Sequence, residues 1–293
     1  MPSSALALVI LAGLIHASWN IVAKKVGGDA RFAMFTALML VPVWAPVALW
    51  AALREPPVWD ARAWTLVALS GAIHVAYYLV LLRGYRNADL TVVYPLARGS
   101  GPLLSSLVAI LFLGEALSLI GGFGIAGVVA GVFLIAGGPR LFRRGRDPAA
   151  RARVKAGVFY GVATGVFIAG YTVIDGYCVK VLGLSPILVD YVGNLFRIVL
   201  MVPLIWPLRA GLGTVWRAQW RPALFVGAIG PVSYVMVLYA MQVAPLSHVA
   251  PAREVSMLFA ALIGGQLLQE GDRLVRFAGA LCIAAGVMAI ALG

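Results

Sequence analysis

Apolar runs of about twenty residues, the length of a transmembrane helix, recur along the whole chain with short connections between them. They are read near residues 4–24, 31–53, 63–83, 91–113 and 117–137, and again near 156–179, 185–208, 222–243, 247–268 and 273–292. Ten such runs use up nearly all of the 293 residues. The expected fold is therefore an all-α integral membrane protein of ten transmembrane helices, with no soluble domain. The first run starts near Ser4 without the basic leader and short apolar stretch of a secretory signal, so it is expected to be a retained helix. Composition agrees: 62% of residues are hydrophobic, 12% are charged and the mean hydropathy is +0.96. A soluble chain of that make-up would expose apolar patches and aggregate.

One strongly polar stretch, Arg140 to Lys155, interrupts the pattern and holds Arg143, Arg144, Arg146, Arg151 and Arg153. It divides the chain into a first five-helix repeat (1–139), a basic linker (140–155) and a second five-helix repeat (156–293). The two parts share residues in register. Ala97-Arg98 and Glu115 in the first correspond to Ala252-Arg253 and Glu270 in the second, with Pro95 and Pro251 one residue out of that register. Gly124 matches Gly279 and Gly131 matches Gly286, while Tyr78 matches Tyr234 and Ala88 matches Ala244 after a shift of one residue. Arginine and glutamate are rare in membrane segments, so their recurrence points to an internal repeat rather than chance. Because five is odd, the second repeat must insert upside down. Inverted repeats around a central cavity are a transporter signature, and rocking one half against the other gives alternating access.

The formal charge of +12 would suggest nucleic acid in a soluble protein. Here the basic residues lie in the connections, and no nucleic-acid motif is present. About seventeen fall on one side, among them Lys24, Lys25, Arg83, Arg86 and the linker, against about three (Arg54, Arg62, Lys180) on the other. The positive-inside rule then puts the linker in the cytoplasm and both termini outside. Cys178 and Cys282 lie in apolar runs without paired spacing, which predicts reduced packing residues and neither a disulfide nor a metal site. No phosphate loop, GxSxG or HExxH occurs, so neither an enzyme nor a cofactor is expected.

Polar groups at membrane depth are costly, and each is a functional candidate. His16, Trp19 and Asn20 share one helix face, as do His74, Tyr77 and Tyr78. Tyr171, Thr172 and Asp175 come from the sixth run, Tyr234 from the eighth, and Ser247 with His248 from the ninth. Together these could line one cavity suited to a small amphipathic solute. Rings would hold its apolar part, and Asn, His and Tyr would supply donors and acceptors. Arg98 either grips a substrate carboxylate or locks the bundle through an ion pair. Asp190, Asn194 and Arg197 share a face and are expected to be structural. Pro95 and Pro251 are read as hinges of a gate, or as fixed kinks.

The run Gly13-Leu-Ile-His-Ala-Ser-Trp-Asn20-Ile-Val-Ala-Lys24 and the Pro-x-x-Arg…Gly-Glu stretch ending at Glu115 resemble the drug/metabolite transporter superfamily. Within it the chain is similar to EamA-type exporters and to YddG-like amino-acid exporters. The resemblance implies export of amino acids or related metabolites across the bacterial inner membrane, with Trp19, Tyr78, Tyr94, Tyr171 and Tyr234 lining the cavity. Two departures stand out. Small multidrug relatives carry a proton-coupling glutamate in span 1, where this chain has no acid, so facilitated diffusion or exchange is open to it. Several members keep both termini inside, against the charge count here. The expected partners are a small-molecule substrate and membrane lipid, with no nucleic acid and no required oligomer. The rival within transport is a broad-specificity drug or organic-cation exporter, for which Asp175 would be the acid. A lipid-handling membrane protein or embedded enzyme lacks the catalytic constellation it would need.

Overall fold

The computed structural model describes residues 1–54, 59–88, 90–135, 148–259 and 273–293. Among them the chain forms α1 (Ser3–Val26), α2 (Ala30–Arg54), α3 (Ala61–Asn87), α4 (Leu90–Phe112), α5 (Leu119–Ile135), α6 (Pro148–Lys180), α7 (Pro186–Ile205), α8 (Leu212–Val243), α9 (Leu246–Ala252) and α10 (Arg273–Leu292). A 3-10 turn, Trp206–Gly211, joins α7 to α8. Among the described residues six helical runs are long and apolar enough to cross a membrane, the last being the continuous α7–α8 run, and two shorter apolar helices accompany them.

Local chemistry sets the helix ends. Asp60 caps α3 by accepting the Ala63 N–H at 2.8 Å. Pro186 opens α7, where its missing N–H costs nothing. Gly27 and Gly183, at φ of 60° and 65°, follow α1 and α6 and take the left-handed turn that side-chain-bearing residues avoid. The outer surface is apolar: Leu119, Phe112, Phe123 and Leu53 stand largely exposed, a surface that lipid rather than water tolerates. Tryptophans stand near the helix ends, with Trp50 under Arg54, Trp206 under Arg209 and Trp220 under Arg221, as in a membrane–water interface.

Helix packing is exchange-symmetric. α1 and α2 pack on α8 as α6 and α7 pack on α3, α9 packs on α1 as α4 packs on α6, and α2 meets α7 while α5 meets α10. The seam between α5 and α10 is built on glycine. A Cβ on Gly124 would stand 2.7 Å from the Gly286 carbonyl oxygen, and one on Gly131 would stand 2.6 Å from that of Gly279. Gly124 and Gly279 are sequence equivalents, as are Gly131 and Gly286, so each touches the equivalent of the other, which is the pattern of a two-fold contact. As α5 ascends from 124 to 131 its contacts on α10 descend from 286 to 279, and the two run antiparallel. The same holds for α2 and α7: Asn194 donates to the Ala37 carbonyl at 3.0 Å, and Tyr191 to that of Val41 at 3.4 Å.

Two boundaries differ from expectation. α6 starts at Pro148, inside the stretch read as linker, because Pro148 suits a first turn and the Ala- and Arg-rich residues after it are strong helix formers. α8 starts at Leu212 rather than near 222 and carries Arg217 and Arg221 on its first turns. The rest of the basic stretch, through 147, and Glu270 lie outside the described residues. Cys178 and Cys282 are both free thiols.

Both termini lie at one end of the bundle, where the Met1 amine donates to the Ala291 carbonyl at 2.9 Å. The same end carries Glu115. Its carboxylate accepts the N–H groups of Leu246 and Ser247 at 2.8 Å each and pairs with Lys180 at 3.0 Å. Burial alone would push the Glu115 carboxyl up; the two N–H donors and the Lys180 ammonium outweigh it and hold it below the usual carboxylate range. At the other end Asp29 pairs with Arg31 at 2.7 Å.

Candidate functional site

α1, α3, α6 and α8 meet in the middle of the bundle, and their aromatic side chains meet there too. Trp19 on α1 donates from Nε1 to Ser233 Oγ on α8 at 3.3 Å. Tyr171 on α6 stacks on His74 of α3, with centroids 3.8 Å apart and planes at 24°. Tyr77 and Tyr234 approach Tyr171 edge-on at 6.0 and 6.4 Å, and Tyr234 stands perpendicular to His74 at 6.0 Å. These are the offset and edge arrangements that aromatic quadrupoles favour. His74 Nδ1 lies 2.9 Å from the Ser70 carbonyl oxygen. A carbonyl only accepts, so that nitrogen carries the proton and Nε2 is left as the acceptor of the neutral ring.

The Tyr234 hydroxyl donates to Asp175 Oδ2. Asp175 is 2% exposed and its helix also carries Tyr171, so a carboxylate lies directly beside the ring cluster. Gly13 packs against Val255 and Ser256 as Gly165 packs against Ser100 and Gly101, residues related by the same offset as Arg98 and Arg253. With Gly13 and Gly165 as equivalents, Trp19 on α1 corresponds to Tyr171 on α6, and Ala23 to Asp175. Tyr77 corresponds in turn to Ser233. The Trp19–Ser233 and Tyr171–Tyr77 contacts are therefore one contact seen twice, whereas the acid exists on one side only.

A charged cluster adjoins the rings. Arg98 Nη2 on α4 lies 2.9 Å from Glu254 Oε2 and donates to Ser256 Oγ at 3.0 Å. Tyr94, one turn before Arg98, donates weakly to Met257 Sδ at 3.5 Å. The Arg98 environment includes Tyr77, Tyr94 and Tyr171. α9 ends at Ala252, Arg253 and Glu254 form a turn, and the helix resumes at Val255. The turn is closed by Glu254 N–H to the Pro251 carbonyl at 3.0 Å and Met257 N–H to that of Glu254 at 2.8 Å. Pro251 precedes the break by two residues; Pro95 lies inside α4, which runs unbroken past Arg98.

The other expected residues divide. His16 stacks edge-on with Trp19 at 4.7 Å and lies in the field of Arg98 and Arg253. Asn20 donates its amide to the His16 carbonyl at 3.0 Å, within its own helix. Tyr78 stands toward the end that carries Asp29 and Arg86, apart from its repeat mate Tyr234. His248 is buried beside Glu115, Lys180 and the terminal amine, away from the rings, and among the described residues neither ring nitrogen has a hydrogen-bond partner. Asp190 pairs with Arg197 at 3.1 Å within α7, the structural arrangement expected. Ser233, Ser256 and Glu254 were not singled out from sequence. The repeat register that equates Ser233 with Tyr77 was the signal that could have found the first.

Comparison with known proteins agrees with this architecture. The model of the EamA-like transporter family matches twice, over residues 3–137 and 155–292. A Sinorhizobium protein, described as an uncharacterized transporter in the cobO 3' region, is 30% identical over 112 residues, covering 38% of this chain and 79% of that protein. A solved crystal structure superposes with a TM-score of 0.72 over 100% of this chain and 98% of its own; at 16% identity that likeness concerns the fold alone. With two copies of the family domain spanning nearly its whole length, this multi-pass membrane chain belongs to the EamA-like transporter family.

Proposed function

We propose that the protein is a secondary exporter of amino acids, aromatic ones included, or of similar small zwitterionic metabolites. In this reading it sits in the bacterial inner membrane and works by alternating access between two inverted halves, 1–139 and 156–293. The observation that carries the reading is the convergence of Trp19, His74, Tyr77, Tyr171 and Tyr234 from α1, α3, α6 and α8, beside a carboxylate (Asp175) and an arginine (Arg98). Rings bind an aromatic or aliphatic side chain, and the charged groups suit the two ends of a zwitterion. The antiparallel seams of α5 on α10 and α2 on α7 support inversion. The halves are joined by the basic 140–155 linker, assigned to the cytoplasm, with the termini periplasmic. Pro95 and Pro251 serve as hinges, and His16, Asn20 and Tyr94 as further contacts; Tyr78 and His248, placed toward opposite ends of the bundle, are left out of the site.

Counterflow of radiolabelled tryptophan in proteoliposomes, with and without an imposed pH gradient, tests this. Flux independent of the gradient supports a facilitative amino-acid exporter; no flux for any amino acid refutes the substrate. The second reading, an organic-cation exporter, is favoured by one observation, the buried Asp175 beside stacked rings. Tetraphenylphosphonium flux with no amino-acid flux would establish it instead.

A further inference from the structure

Arg98 and Arg253 occupy equivalent places in the repeat, one on α4 and one at the break after α9. They share Glu254, which lies in the field of both. Arg253 and Glu254 are 5% and 1% exposed. Arg98 Nη2 pairs with Glu254 Oε2 at 2.9 Å. Among the described residues, the Nε of each arginine and Glu254 Oε1 have no hydrogen-bond partner.

The formal charge of this trio is one positive in excess. An excess charge at membrane depth is costly. A monoanion would neutralise it, whereas a cation would double it. The open Nε edge of a guanidinium is half of the fork that grips a carboxylate through two parallel N–H donors.

We infer that the carboxylate of the transported solute docks between Arg98 and Arg253, so that the site selects monocarboxylates and excludes otherwise identical solutes that lack the acid. This rests on the reading that the adjoining ring cluster is the transport site, and it specifies the group that fixes the solute there. One carboxylate gripped from α4 and from the α9 break spans both halves of the repeat. Glu254 sets the stoichiometry: with it, one anionic group is matched; without it, two.

The test is competition against tryptophan binding to the full-length protein in lipid nanodiscs, using indole-3-propionate, tryptamine and tryptophan methyl ester. Indole-3-propionate should compete, and the two solutes without a free carboxylate should be about 10- to 100-fold weaker, the effect of losing a charge-assisted hydrogen bond. Tryptamine competing as well as tryptophan overturns the proposal with no variant needed. Arg253→Gln leaves a neutral Arg98–Glu254 pair and should lose that discrimination; wild-type selectivity in this variant also overturns it. Glu254→Gln should shift preference by about tenfold or more toward two-carboxylate solutes such as glutamate. If no amino acid binds while indole-3-propionate, followed directly as its radiolabelled form, does, the amino-acid reading falls and the carboxylate site stands.

Discussion

Substituting Gly286 by alanine asks how closely α5 and α10 must approach. A Cβ at 286 would stand 2.6 Å from the Gly124 carbonyl oxygen, 2.7 Å from the Val128 nitrogen and 2.9 Å from a Val128 methyl. Non-bonded heavy atoms rest near ~3.5 Å, so the helices must part locally by about 0.9 Å, that difference. A gap of this size forfeits roughly a quarter to a half of the dispersion well for each atom pair along the seam. Overpacking of this kind costs about 1–3 kcal/mol. Gly124→Ala strains the same seam from the other side, its Cβ meeting the Gly286 oxygen at 2.7 Å. Once the helices have separated for one methyl, the second finds room. The double variant should therefore cost little more than the worse single one, a coupling of roughly 1–2 kcal/mol. Gly127→Ala, with its nearest contact at 3.4 Å, is the control and should stay within about 1 kcal/mol of wild type. Thermal unfolding in detergent, followed by tryptophan fluorescence, reads these as shifts of about 2–4 °C per kcal/mol. A Gly286→Ala protein that melts with the wild type, or strict additivity in the double variant, would refute the close-contact argument.

Trp19→Ala should cut tryptophan counterflow by about 5- to 10-fold, the scale of one lost aromatic contact, with the protein still folded; normal flux removes Trp19 from the site. Glu115→Gln should lower stability at pH 7. Because the native carboxyl titrates below its unfolded value, its contribution is complete above about pH 4.3 and is lost as pH falls through the depressed native value. The melting difference between wild type and variant should thus close between about pH 5 and pH 3; a constant difference would count against the ion-pair account. Asp190→Asn strands Arg197, whose side chain is 24% exposed, and should cost about 2 kcal/mol after allowance for screening. The Asp190→Leu/Arg197→Met pair should recover most of that, and chemical denaturation decides. Charge reversal across Arg143–Arg153 should disturb insertion, read by cysteine accessibility of the termini; unchanged labelling would defeat the proposed orientation.

The apolar runs, the duplication and the α7 ion pair were legible in the sequence because each is a local signal: a length, a repeat register, a spacing on one helix. The ring cluster was legible in part. Trp19, His74, Tyr171 and Tyr234 stand out as polar-tipped aromatics at membrane depth, and the fold brings them together. Tyr78 and Tyr234 look equivalent in sequence yet lie in different surroundings, because Asp175 stands beside only one of them. Sequence also does not show that Asn20 satisfies its amide on its own helix. Nor does it show that His248 belongs to the Glu115 end. Those outcomes depend on how α1 and α9 pack, which spacing along one helix does not encode. The break at Arg253–Glu254 escaped for a related reason: Pro251 marks a weak point, but a similar proline–arginine pattern in α4, one residue longer, runs on as unbroken helix.

That unlike pair bears on the energetics of the proposed cycle. In a strictly symmetric inverted duplication the inward-open and outward-open forms would be copies of each other, with equal energy and equal occupancy when empty. Here α4 passes Arg98 as continuous helix, while its counterpart unwinds at Arg253. Bending one helix and bending the other are no longer the same event. In the proposed cycle the empty carrier would then rest preferentially on one side of the membrane. Such a bias would come from the divergence of two copies that began alike, and would make the apparent affinity differ between the two faces while net flux still follows the solute gradient.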